Sequence, residues 1–83
     1  MQQTTSGSTA HSIKASVEAR IPEAVVEVTS SGDGHYSLVV RSSLFRGHSM
    51  LECHRMVYAA IAPLMAGVDA PVHAVDTLKT VVV

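Results

Sequence analysis

The chain is 83 residues long, 47% hydrophobic, and carries six Lys or Arg against seven Asp or Glu, a formal charge of −1. That length holds one domain near the lower limit for a single hydrophobic core, and the charge balance offers no general attraction to nucleic acid or an acidic membrane surface. A single cysteine excludes an internal disulfide, five histidines is a high count for so short a chain, and no apolar run approaches the ~20 residues of a membrane span.

Met1 to Ala10 is built mainly of Gln, Ser, Thr and Gly. It reads as a disordered leader extending to an exposed His11, with one domain over 12–83. The leader lacks the arginines of a transit peptide and the apolar stretch of a signal peptide. With the unpaired cysteine, this gives the expectation of an intracellular protein, cytoplasmic first, with mitochondrial and plastid as the alternatives. From Ser12 to Arg20, the spacing of Ile13, Val17 and Ile21 predicts a short amphipathic helix with Lys14, Glu18 and Arg20 outside. Pro22 ends it. Ala24 to Thr29 has the β-branched content of a strand. Asp33-Gly34 then signals a hairpin. The second strand, His35 to Ser42, alternates Tyr36, Leu38 and Val40 against Ser37, Val39 and Arg41, so one face is buried and the other partly wet.

Ser49 stands three residues before Glu52, the spacing of a capping box, and opens the longest helix, which runs to Gly67. Turning ~100° per residue gathers Leu51, Val57, Tyr58, Ile61, Leu64, Met65 and Val68 on one side. Glu52, Arg55 and Ala59 lie opposite, His54 falls near the middle of the apolar side, and Cys53 lies at its edge. Pro63 should kink the helix or split off its last turns. Val72 to Val81 reads as a third strand. The order helix, strand, strand, helix, strand gives an α+β domain, a three-stranded mixed sheet with helices packed on one face.

Phe45-Arg46-Gly47-His48-Ser49, Cys53-His54-Arg55-Met56-Val57 and Val72-His73-Ala74 occur in that order, beside Ser-Gly-Asp-Gly-His and an aromatic in the hairpin. On these pieces the chain resembles the BolA family from Ile13 to Thr77. It departs from the family pattern at Cys53, where Arg is usual, in a longer stretch from Tyr58 to His73, and in lacking the T-x-T-P ending and final helix. The resemblance implies a fold related to the class II KH domain. It implies a non-enzymatic iron–sulfur adaptor that pairs with a monothiol glutaredoxin and shares a [2Fe–2S] cluster with it, glutathione accompanying the glutaredoxin. Carried over, His73 is one ligand and His35 the second, with Phe45, Gly47, Arg55 and Ala74 as partner contacts. A homodimer is the other arrangement considered.

The donor chemistry agrees with that implication. A [2Fe–2S] cluster needs four ligands, and two imidazoles can replace two thiolates. One cysteine cannot supply an all-thiolate set, so two thiolates would come from elsewhere. Only a neutral imidazole binds. On composition alone, His73 is a strand-start residue bonding a carbonyl and His35 a hairpin residue. His54 is a core histidine, His48 is exposed, and Cys53 is a buried structural thiol. Met50, Met56 and Met65 read as packing, with Met56 a candidate surface contact. Cys53 and His54, adjacent on a helix, point ~100° apart and cannot easily close on one ion. The alternative function is a nucleic-acid-binding regulator using Arg41, Arg46 and Arg55. The turn Gly47-His48-Ser49-Met50 lacks the second glycine of a KH backbone clamp. No nucleophile–base–orienter set or phosphate loop can be assembled.

Overall fold

The first helix begins earlier than its apolar spacing indicates. In the computed structural model, which describes residues 5–83 and side chains from Thr9 onward, α1 spans Thr5–Arg20. The disordered leader expected through His11 is therefore corrected from Thr5 on, while residues 1–4 lie outside the described residues. Thr9 and Ala10 carry the buried stripe of Ile13, Val17 and Ile21 back by one turn. Their side chains are too small to give a hydrophobic signal but small enough to pack close. Past Ile21, Pro22 stops the helix. Glu23 adopts φ 62°, a left-handed conformation uncommon for a residue with a Cβ.

β1 (Val25–Gly32) and β2 (His35–Arg41) form the expected hairpin around Asp33-Gly34. β1 continues through Ser30-Ser31-Gly32, past the end of its apolar pattern, because the backbone pairing with β2 is satisfied regardless of side chain. The pairing skips Ser31, between Ser30↔Tyr36 and Gly32↔His35. One extra residue makes a β-bulge and turns the side chains locally. Tyr36, Leu38 and Val40 face the helices and are buried, as the alternation predicts. At the end of β2, Ser42 is fully buried and fully bonded. Its hydroxyl accepts from Leu44 N at 3.0 Å and donates to the Pro22 carbonyl at 3.4 Å. Its N–H donates to Val81 O at 3.0 Å, so this one residue ties the strand ends to the α1–β1 turn. A 3-10 turn, Ser43–Phe45, follows.

α2 spans Met50–Met65 with both halves of the capping box formed: Glu52 N donates to Ser49 Oγ at 3.1 Å, and Ser49 N donates to Glu52 Oε1 at 2.9 Å. The helix continues through Pro63 without splitting. Proline removes the N–H that would bond the Ala59 carbonyl, and so near the end only the last turn is affected. The Leu64 carbonyl, left open at the C-terminus, accepts from Val72 N at 3.1 Å.

The buried face of α2 is rotated from the expected one. Cys53, Val57, Ala60 and Ile61 are buried, Met56 and Leu64 pack against the core, and His54 is half-buried with no ring hydrogen bond to a described residue. Leu51, Tyr58 and Val68 are exposed, at 59%, 39% and 96%. Counting large apolar side chains gave Leu51 and Tyr58 full weight. The contact surface is set instead by the groove between α1 and the sheet, into which the small Cys53 and Ala60 fit. Cys53 is thus central rather than marginal, its Sγ 3.8 Å from the Phe45 carbonyl.

β3 (Ala74–Val81) lies parallel to β2 and opposite β1, giving sheet order β1-β2-β3. Its register runs from His35↔Ala74 to Arg41↔Val81 and skips Asp76. The architecture is the mixed three-stranded sheet with helices on one face that the element order predicts.

Candidate functional site

The parallel pairing starts β2 and β3 side by side, with one nominated histidine at the start of each. His35 opens β2, and His73 immediately precedes its partner, Ala74. The Gly34 carbonyl accepts from both His73 N at 2.7 Å and Ala74 N at 3.1 Å, pinning the start of β3 to the hairpin turn. The His73 ring rests on the bare Cα of Gly34: a Cβ built there would stand 2.8 Å from His73 Cγ. Gly34 also adopts φ +72°. The turn therefore needs glycine twice, for its backbone and for the ring beside it. Both histidines are exposed. His73 also lines a recess of about 290 Å³ with Met65, Gly67, Val68, Ala70 and Val72.

Two residues that the sequence reading did not single out complete the site. His35 Nδ1 lies 3.0 Å from Asp76 Oδ1, and Ser31 Oγ donates to Asp76 Oδ2 at 2.8 Å. Hydrogen bonds from His35 first and Ser31 second hold the Asp76 carboxyl below the usual carboxylate range. Ser31 and Asp76 are the residues skipped in the registers of β1 with β2 and of β2 with β3. A faint signal was present in the sequence: core-packed Val75 and Leu78 are three apart, where an unbroken strand would place them two or four apart. Ser, His and Asp here do not form a hydrolytic triad, since the carboxylate stands between the hydroxyl and the imidazole and Ser31 has no base.

The remaining nominated residues separate. Phe45 is 1% exposed and belongs to the core. This corrects its expected role as a partner contact, because an aromatic preceding a turn on a small sheet is the residue that fills the core. Gly47 and Arg55 are exposed and Ala74 half-buried. Arg55 shares a shallow groove of about 310 Å³ with Arg20, Ile21, Met56 and Ala59, away from the histidine site. Of the arginines nominated for nucleic acid, Arg41 bonds Glu27 at 2.8 Å and Arg46 bonds the Val83 carbonyl at 3.1 Å. Among the described residues no three His, Cys, Asp or Glu side chains converge on a point where one ion could sit. No helix among them is long and apolar enough to cross a membrane.

Comparison with known proteins shows what the chain is similar to. A family model described as BolA-like protein matches residues 5–81. A solved bolA protein homologue from Coxiella burnetii is 31% identical, with TM-score 0.70 and coverage of 99% of this chain and 92% of that one. BolA1 from Mus musculus is 32% identical, with TM-score 0.67 and coverage of 96% and 71%. Yeast Fra2 is 25% identical, with TM-score 0.61 and coverage of 88% and 77%. A comparison with curated protein sequences found no match.

Proposed function

This chain belongs to the family of BolA-like proteins, and from that premise we propose that it is a non-enzymatic iron–sulfur adaptor that shares a [2Fe–2S] cluster with a monothiol glutaredoxin. The observation that carries the reading is the side-by-side start of β2 and β3, with exposed His35 paired to Ala74 and exposed His73 immediately before Ala74.

The donor set fits. Two imidazoles are on offer, and the single cysteine is buried with its Sγ directed at backbone carbonyls. Sulfur for the other two positions would come from the partner, as a glutaredoxin cysteine and a glutathione thiolate. When bound, the cluster would supply iron and sulfide for transfer and a one-electron redox centre. This chain's part is to hold and orient nitrogen donors. His73 is placed by its own N–H and by Gly34, and His35 by Asp76. His73 is exposed, so a second protein can reach its ring.

The test is reconstitution with a monothiol glutaredoxin, glutathione, ferrous iron and sulfide, followed by visible absorption and circular dichroism. His73→Ala should change the spectrum strongly, His35→Ala measurably, and His11→Ala not at all. Equal spectra for all three variants would contradict the reading.

A further inference from the structure

The bridge formed by Ser31, Asp76 and His35 is a feature of this chain's own side chains, and it constrains which nitrogen of His35 faces outward. An ionised carboxylate only accepts hydrogen bonds. Asp76 Oδ1 lies 3.0 Å from His35 Nδ1, and Oδ2 is already engaged by the Ser31 hydroxyl at 2.8 Å. In the neutral ring the single proton must then sit on Nδ1, which leaves the lone pair on Nε2. The backbone supplies the means. Ser31 and Asp76 are each the extra residue of a bulge, on the two strands flanking β2, and a bulge re-aims a side chain. Ser30 and Val75 both pair with the buried Tyr36, so Ser31 and Asp76, the residues after them, reach over the start of β2 on the open face from either side. Tyr36, the next residue, is buried on the helix side, so His35 stands on the open face of the sheet.

We propose that Asp76, braced by Ser31, is a positioning residue that locks His35 in its Nδ1–H form and presents Nε2 as a ready nitrogen donor. This deepens the proposed function and rests on it for the identity of the metal. The lock itself belongs to the chain alone. His73 has no such lock: its ring makes no hydrogen bond to a described residue and is placed only by packing on Gly34. The two donors are thus unlike, one fixed in tautomer and direction, the other held by backbone and contact. A carboxylate behind a ligating imidazole raises its basicity, and removing such a partner typically weakens metal binding roughly 10- to 100-fold.

The test has two arms. In the first, the metal-free chain with ¹⁵N-labelled histidine is studied near pH 8, where exposed imidazoles are neutral, by two-bond ¹H–¹⁵N correlation. Wild-type His35 should show a protonated Nδ1 and an unprotonated Nε2. Asp76→Ala should abolish that preference, and Ser31→Ala should weaken it. A protonated Nε2 in the wild type, or an unchanged pattern in Asp76→Ala, would overturn the proposal. Asp76 and Ser31 are exposed, so backbone spectra should confirm that both variants stay folded. In the second arm, cluster-linked association with glutaredoxin is titrated. Asp76→Ala should weaken it roughly tenfold or more in the His35 background and have no effect in a His35→Ala background. Equal losses in both backgrounds would show that Asp76 does not act through His35. If the wild type forms no cluster complex, the proposed function fails, while the first arm still decides the role of Asp76.

Discussion

Gly34→Ala perturbs the site without altering either histidine, and its size can be worked from the structure. The new Cβ would stand 2.8 Å from His73 Cγ, 2.9 Å from Cδ2 and 3.1 Å from Cβ. Two of those atoms lie at the root of the side chain, so the ring cannot simply swing its tip aside. It must rotate off the turn, or the start of β3 must move. The residue would also be held at φ +72°, which costs a residue with a Cβ roughly 1–2 kcal/mol. In a domain of this size each kcal/mol lowers Tm by roughly 4–8 °C. Gly47→Ala is the control, with φ +84° and nothing within 4 Å of the added Cβ. Both variants should lose stability by thermal and denaturant unfolding, Gly34→Ala the more because it adds the clash to the backbone cost. Only Gly34→Ala should shift the His73 ring resonances, and it should also weaken cluster-linked association with glutaredoxin. Identical His73 spectra in the two variants would refute the claim that Gly34 seats the ring.

Phe45→Ala should cost roughly 3–5 kcal/mol, as truncation of a buried aromatic does, yet leave partner affinity unchanged once the variant is folded, because the side chain does not reach the surface. A large loss of affinity with stability intact would contradict the core assignment. The capping box gives a pH dependence. The Glu52 carboxyl is held below its usual range, first by the Ser49 backbone N–H and then by His48. Its contribution is present above the unfolded glutamate value and is lost as pH falls through the lower folded value. The protection of the first α2 amides, measured against their intrinsic exchange rates, should therefore fall as the pH drops through the carboxylate range, and Glu52→Gln should remove the carboxylate's part of that dependence. Cys53 should resist thiol reagents until the chain unfolds, since it is buried in the face of α2 packed against the core; rapid labelling of the native protein would show that face to be open.

The fold was legible where side-chain pattern and backbone demand coincide. In β2, Tyr36, Leu38 and Val40 alternate with polar or less buried neighbours. At Ser49 and Glu52, two residue types at one spacing meet a specific need of a helix start. The first turns of α1 were not legible, because Thr9 and Ala10 pack by being small. The buried face of α2 was misjudged for a related reason: Leu51 and Tyr58 are apolar but fall outside the arc that α1 and the sheet cover.

For the site, the histidines were visible as residues, but the side-by-side start of β2 and β3 was not. It follows from β3 entering parallel to β2, a matter of strand order that local pattern does not encode. Asp76 and Ser31 were hidden more deeply. Each is skipped in its strand's register, and a skipped residue shows in sequence only as an odd spacing of core residues. The arginines carried a different lesson. Arg41 and Arg46 are basic in composition, yet each already bonds an acceptor of this chain.

The central claim is that this chain gives imidazole nitrogen to iron whose sulfur ligands come from another molecule. Pulsed electron paramagnetic resonance of the reduced complex tests it most directly, with ¹⁵N-histidine in this chain only and an unlabelled glutaredoxin. Strong ¹⁵N couplings that weaken in His73→Ala and in His35→Ala are the predicted result. A reduced cluster with no ¹⁵N coupling from this chain would contradict the account.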